Sequence, residues 1–264
     1  MAFDINNFVI DHVIRGVMTS TADGSYMWSI NQITDPTLSV TSDTADAVDA
    51  LGSTITTFNR GKNAEFSASN SMFDLGLYAA QMGVAKEVAA SGSALTVPAF
   101  ETLTIAQSDV SKVLAHTPKT SPDKIYQLKG DGTLGTIYTS AVSSDATHFA
   151  ISGPTITLPT GLTAGTQLFV MYEYDSENAV SVSGDAINFP KAGKFIMEVL
   201  GTDVCDPTTL IHAYIVFPNA KLDANVDVTF TTDGTHPFTL RANQAYCDNK
   251  KTLFSIIIPQ ESES

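Results

Sequence analysis

Cysteine is almost missing from this chain: Cys205 and Cys247 are the only two in 264 residues. A disulfide scaffold needs more, and no CxxC pair stands ready for zinc. Two buried thiols are the expectation, with a Cys205–Cys247 bridge as the alternative. Charge is scarce too, 16 % against roughly 25 % in soluble domains. Positive charge is scarcest, with 14 basic against 28 acidic residues and a net charge of −14. That excludes an ordinary nucleic-acid binder, which needs basic side chains to replace phosphate counterions. It does not exclude a surface that nucleic acid must pass without sticking. Long apolar runs are absent, and Leu168–Tyr172 and Ile256–Ile258 fall far short of a membrane span. Residues 1–16 carry Asp4 and Asp11 and no uninterrupted apolar core, so no signal peptide is expected and assembly in a cytoplasm is.

What fills the space is Ser, Thr, Asn and Gly among 43 % apolar residues. This composition suits short strands with polar faces and many turns. Val226, Val228 and Phe230 alternate with Asp227 and Thr229, and after Thr232-Asp233-Gly234 the alternation resumes at Phe238, Leu240 and Ala242. This predicts a half-buried hairpin. A second hairpin is predicted at 54–68, turning at Asn59-Arg60-Gly61-Lys62. Further strands are expected at 7–19, 26–33, 125–129, 135–139, 149–158, 167–174, 194–200, 211–217 and 252–258, with 88–98 a loop leading into a strand.

One helix stands out at about 72–82, capped by Asn70 or Ser71 and closed by Gly83. Asp74, Tyr78 and Gln81 fall on a narrow polar arc, and Met72, Phe73, Leu75, Leu77, Ala79, Ala80 and Met82 take the rest. Such a helix wants cover on two sides, from a groove between sheets or from a neighbouring subunit. The expected fold is therefore mainly β, an antiparallel β-sandwich or barrel with one flanking helix. Residues 1–98 and 190–264 are expected to form one discontinuous core. Residues 99–189 are a middle β region, either an immunoglobulin-like insert or the central strands of one continuous barrel.

Chemistry is hard to find. Gly130-Asp131-Gly132-Thr133-Leu134-Gly135 spells GxGxxG, but Thr136-Ile137-Tyr138 continues as strand where a dinucleotide site needs a helix. It reads as a hairpin turn. His12, His116, His148, His212 and His236 are scattered without metal-binding spacing. Asp43, Asp46 and Asp49 recur every third residue in a predicted loop, whereas calcium loops place ligands at alternate positions. No cofactor is expected, and no enzymatic activity.

Two stretches carry a resemblance. Residues 46–71, with Thr54-Ile-Thr-Thr-Phe58, Asn59-Arg-Gly-Lys62 and Ala64-Glu-Phe-Ser67, run into the helix. Residues 215–234 pass through Pro218-Asn-Ala-Lys-Leu222 to an alternating strand and Asp233-Gly234. Together, about a quarter of the chain, these resemble bacteriophage tail tube (major tail) proteins. The resemblance implies a homo-oligomer: six copies closing into a ring, and rings stacking as a hollow virion tube that DNA passes without specific binding. Sheath or terminator proteins are expected at its contacts, and no membrane. On that reading the lumen-facing acids are Glu65, Asp227, Asp43, Asp46 and Asp49. Phe58, Arg60, Lys62, Phe66 and Tyr78 are expected at subunit contacts. A capsid decoration or head–tail joining protein is the first alternative, and a surface carbohydrate-binding β module the second. Core-sized residues are sparse across 40–66, chiefly Val48, Leu51, Ile55, Phe58 and Phe66, so this segment is expected to reach beyond its own subunit.

Overall fold

Phe195, Met197 and Val199 are buried on one face of a strand whose other face carries Lys194 and Glu198. That alternation repeats through most of the chain, and the computed structural model is built almost wholly from antiparallel strands. It describes residue 5, residues 7–244 and residues 251–259. Cys247, and with it the Cys205–Cys247 bridge, lies outside them. Cys205 is exposed rather than buried, in the turn between two strands.

The chain begins with β1 (Phe8–Ser20), β2 (Tyr26–Ile30), β3 (Ile33–Val48), β4 (Thr54–Asn70) and the helix α1 (Leu75–Met82). It continues through β5 (Glu87–Val88), β6 (Leu95–Thr104), β7 (Ser111–Val113), β8 (Lys124–Leu128), β9 (Leu134–Ser140), β10 (His148–Ser152), β11 (Thr155–Thr157), β12 (Gln167–Ser176) and β13 (Val180–Ser181). It closes with β14 (Ala192–Asp203), β15 (Asp206–Leu222), β16 (His236–Ala242) and β17 (Ser255–Ile257). Two compact units result: Met1–Lys86 with Val182–Ser264, and Glu87–Ser181. The sequence reading drew these borders at 98/99 and 189/190. The β5–β13 pair brings both ends of the second unit earlier.

The first unit is one antiparallel sheet in the order β2-β1-β14-β15-β16-β4-β3, with β17 added on β15. Its core face buries Met18, Trp28, Phe66, Phe195, Phe217, Phe238 and Leu240, joined by Leu77 from α1. Phe66 stands amid Phe195, Phe217 and Phe238, with ring centroids 5.9–6.1 Å away. The helix is shorter than the periodicity predicts. Asp74 caps it, its carboxylate accepting the Leu77 amide at 2.7 Å, so Met72 and Phe73 precede the first turn, as do Asn70 and Ser71. Gly83 closes it with φ 71°, where a Cβ would meet the Phe189 carbonyl oxygen at 2.3 Å.

The second unit runs β6-β12-β8-β9-β10-β11-β7, antiparallel except for a two-residue parallel register between β9 and β10. Strands from both ends of this path bury a second core around Ile125, Phe149, Ile156, Leu168 and Val170. The glycine-rich segment is the β8–β9 turn: Lys129 and Thr133 bond across it, Gly132 takes φ 80°, and Asp131 accepts the Thr133 amide.

Three predicted elements come out differently. The strand expected at 149–158 is a hairpin, because Gly153-Pro154 turns the chain between β10 and β11 with Gly153 at φ 56°. The hairpin expected at 226–242 supplies only β16, and residues 226–230 pair with no strand among the described residues. β16 pairs instead with β4 through His236–Arg241 and with the end of β15 through Leu240–Ala242. The hairpin expected at 54–68 is a single strand, and Asn59–Lys62 pass as an irregularity in its register rather than a turn. Its partner is β3, the segment read as an aspartate-bearing loop.

Candidate assembly surface

Strand β4 is long because two partners share it. Glu65–Asn70 pairs with β16, while the whole of β3 follows the other edge. Outward of Glu65 only β3 remains, so Val40–Val48 and Thr54–Ala64 form a two-stranded ribbon. At about 3.3 Å per residue it reaches roughly 30 Å beyond the third strand. Its end is a tight turn. The Asp49 carboxylate accepts the Leu51 amide at 2.9 Å and the Ser53 amide at 2.8 Å, and Gly52 adopts φ 84°. Asp46 accepts the Thr57 hydroxyl at 2.6 Å across the ribbon. Asp43 stands, exposed, where the register shifts between Ser42 and Thr44. These three aspartates are thus strand and turn residues. Among the described residues no group of His, Cys, Asp or Glu is arranged to hold a metal ion.

The ribbon exposes what a lone hairpin should hide. Leu51 is 92 % exposed, Ile55 69 % and Phe58 57 %, with Val40 and Val48 about half exposed. Phe58 faces only Ala45 in register. A two-stranded ribbon is marginal in water without an apolar face to bury, and contiguous exposed apolar surface marks a binding site. Arg60 and Lys62 are also exposed along it. Phe66 is different: at 1 % exposure it is a core ring, and the expectation of a subunit contact there does not hold. Alternation brings its side chain inward, among the rings of Phe195, Phe217 and Phe238.

Tyr78 is half-buried against Phe73 and His236. The residue that sequence reasoning missed is His236 itself. It is fully buried, accepts the Asp74 amide on Nδ1 at 3.3 Å, and donates from Nε2 to Gln81 Oε1 at 2.7 Å. Gln81 Nε2 donates in turn to the Pro237 carbonyl at 3.0 Å. Gln81, placed on the polar arc by periodicity, is therefore an interior bridge between α1 and β16. Burial holds the imidazole below its ordinary 6.5, against an opposing pull from Asp74. The neutral form is the one this geometry requires.

A folded-state value below the unfolded one means that the node contributes fully above about pH 6.5 and less as pH falls from there toward the folded value. Urea unfolding followed by Trp28 fluorescence should show lower stability at pH 5.5 than at pH 7.5. In His236→Gln that difference should shrink, and stability at pH 7.5 should drop by about 1–3 kcal/mol from the broken node. An unchanged pH dependence in the variant would assign the effect to another group.

The sheet face opposite the core is mixed: Lys194 and Glu198 share it with Ile196 and the buried Leu200, and Ile196 lies in register with Val17 and Val216. Glu65 lies on this face, 3.6 Å from Arg241, which also holds Asp223 at 2.6 Å. Farther along, Arg15 Nε donates to the Glu198 carboxylate at 2.5 Å, and His212 Nδ1 lies 3.0 Å from its other oxygen. Burial raises the Glu198 carboxyl, but the Arg15 hydrogen bond and charge, with His212, outweigh it and hold the group below its ordinary 4.5. The acids here sit beside cations rather than alone. Asp227, predicted on a strand, is exposed in irregular chain.

A sheet with one packed face, ion-paired acids on the other and a long ribbon presenting bare apolar side chains is the build of a structural subunit that meets other chains. Over residues 8–257 the sequence matches the YomU/Tube protein family, and the chain belongs to it. No curated protein matches it. The family is a phage tube-type one, so this is a structural component of the virion tail that assembles with itself and with other tail proteins.

Proposed function

We propose that six copies of this chain close into a ring and that rings stack as the tail tube through which DNA passes. The observation that carries this reading is the β3–β4 ribbon, which exposes Leu51, Ile55 and Phe58 on an element without a core of its own. A ribbon complementary to a different surface makes a head-to-tail contact, and such contacts generate rings or open helical stacks. Assembly takes place in the host cytoplasm, with sheath or terminator proteins joining the finished tube. Light scattering on the purified protein should give a hexamer or larger, and negative-stain images should show rings or tubes. A monomer at every concentration, or discrete particles without a channel, would favour a capsid decoration or head–tail joining role.

On this proposal the sheet face opposite the core borders the passage, with Glu65 on it and Asp227 and Asp43 as further acids near the DNA path. An excess of carboxylates repels phosphate and leaves no adhesive sites. Glu65→Lys with Asp227→Lys should leave rings intact and make tubes retain DNA at low salt. Failure to assemble would place the pair in a subunit contact. Normal tubes without DNA retention would place both outside.

A further inference from the structure

A cleft of about 560 Å³ opens in the first unit between the edge strand β2 and helix α1. Tyr26, Trp28, Leu75 and Ala79 line it with apolar surface, and Lys86 and Lys191 stand in its wall. Its size lies within the range of about 300–1,000 Å³ typical of binding clefts. We propose that this cleft is the socket for the ribbon tip of a second copy of the chain: Leu51 and Ile55 enter it, and Asp46 and Asp49 face Lys86 and Lys191. This inference rests on the self-assembly reading above and names the surface that receives the ribbon.

Three observations select that occupant. The tip carries the most exposed large apolar side chain of the ribbon, Leu51, with Ile55 beside it, and the cleft offers an apolar wall of matching character. Charge is complementary, since the tip is acidic and the cleft carries two lysines in a chain with only 14 basic residues. The cleft's own acid, Asp74, is turned to the Leu77 amide. Finally, the tip cannot fill its own cleft. β3 leaves β2 after Gln32 and runs 16 residues before the turn, about 50 Å of extended chain at about 3.3 Å each. It stays paired with β4 along that length, through register shifts at Thr34/Thr37, Ser42/Thr44 and Ala47/Val48. The partner must therefore be another subunit, and the contact is head-to-tail.

The test uses the full chain with Cys205→Ser and Cys247→Ser, carrying Leu51→Cys and Leu75→Cys. Both leucines are exposed, so folding is expected to survive, and far-UV circular dichroism checks it. Oxidation of assembled material should give a ladder of disulfide-linked oligomers on non-reducing gels, absent from either single variant. Tubes that form normally without this ladder overturn the socket and leave the tube proposal standing. A parent chain that never assembles overturns both. Independently, Lys86→Glu with Lys191→Glu should raise the critical concentration for assembly at least tenfold, with partial rescue by Asp46→Lys. An unchanged critical concentration overturns the charge pairing and with it the proposed seat.

Discussion

Leu51→Asp combined with Phe58→Asp is expected to yield a folded monomer that no longer assembles. Neither side chain touches the first unit's core, and both stand mostly in solvent. Surface substitutions away from packed features change stability by about 0.5 kcal/mol or less, so the melting temperature of the monomer should be almost unmoved. Apolar anchors in an interface are worth about 2 kcal/mol or more each. Losing two of them corresponds to roughly a thousandfold weaker association. Hydrogen exchange gives the same test without mutation: residues 40–64 should exchange fast in the monomer and slowly in the assembly. Equal protection in both states, or wild-type assembly by the double variant, would remove the ribbon from the interface.

Phe66→Ala should behave in the opposite way. Its ring is buried among Phe195, Phe217 and Phe238, on the strand that continues into the ribbon. Deleting a buried phenyl ring costs about 3–5 kcal/mol through lost transfer energy and the cavity left behind. Chemical denaturation of the monomer should report that loss directly, with the midpoint lowered and assembly weakened only as a consequence. Full monomer stability with abolished assembly would return Phe66 to the subunit contact. Phe58 and Phe66 lie on one strand, so the pair also tests where core ends and ribbon begins.

Much of the β scaffold was legible because period-2 alternation is a local signal. Phe195, Met197 and Val199 alternate on β14, as do Phe238 and Leu240 on β16, and each segment reads as a half-buried strand without knowledge of its neighbours. The Gly83 cap was equally local, since a left-handed residue ends a helix wherever it occurs. The ribbon was half legible. The paucity of core residues in 40–66 is visible, but β3 carries no strand signal, because Thr41–Asp46 is polar on both faces and Asp35-Pro36 interrupts its start with a positive φ at Asp35. A strand that buries neither face leaves no periodic trace.

Gln81 and His236 mark the limit most sharply. Helical periodicity alone placed Gln81 on a polar arc, and His236 was one of five scattered histidines. Their juxtaposition depends on α1 lying against β16, 155 residues later in the chain. The same holds for Asp227, whose alternating neighbours predict a hairpin with β16, while β16 takes β4 and β15 as its partners. Local alternation and capping by themselves determined that this chain is an antiparallel β protein with one short helix and sparse core residues in its ribbon. Which side chains became core, which acids gained cations and which apolar residues were left bare was decided by the tertiary structure. The physical reason is that strand pairing and burial depend on partners distant in sequence, whose edges and faces exist only once the sheet has formed.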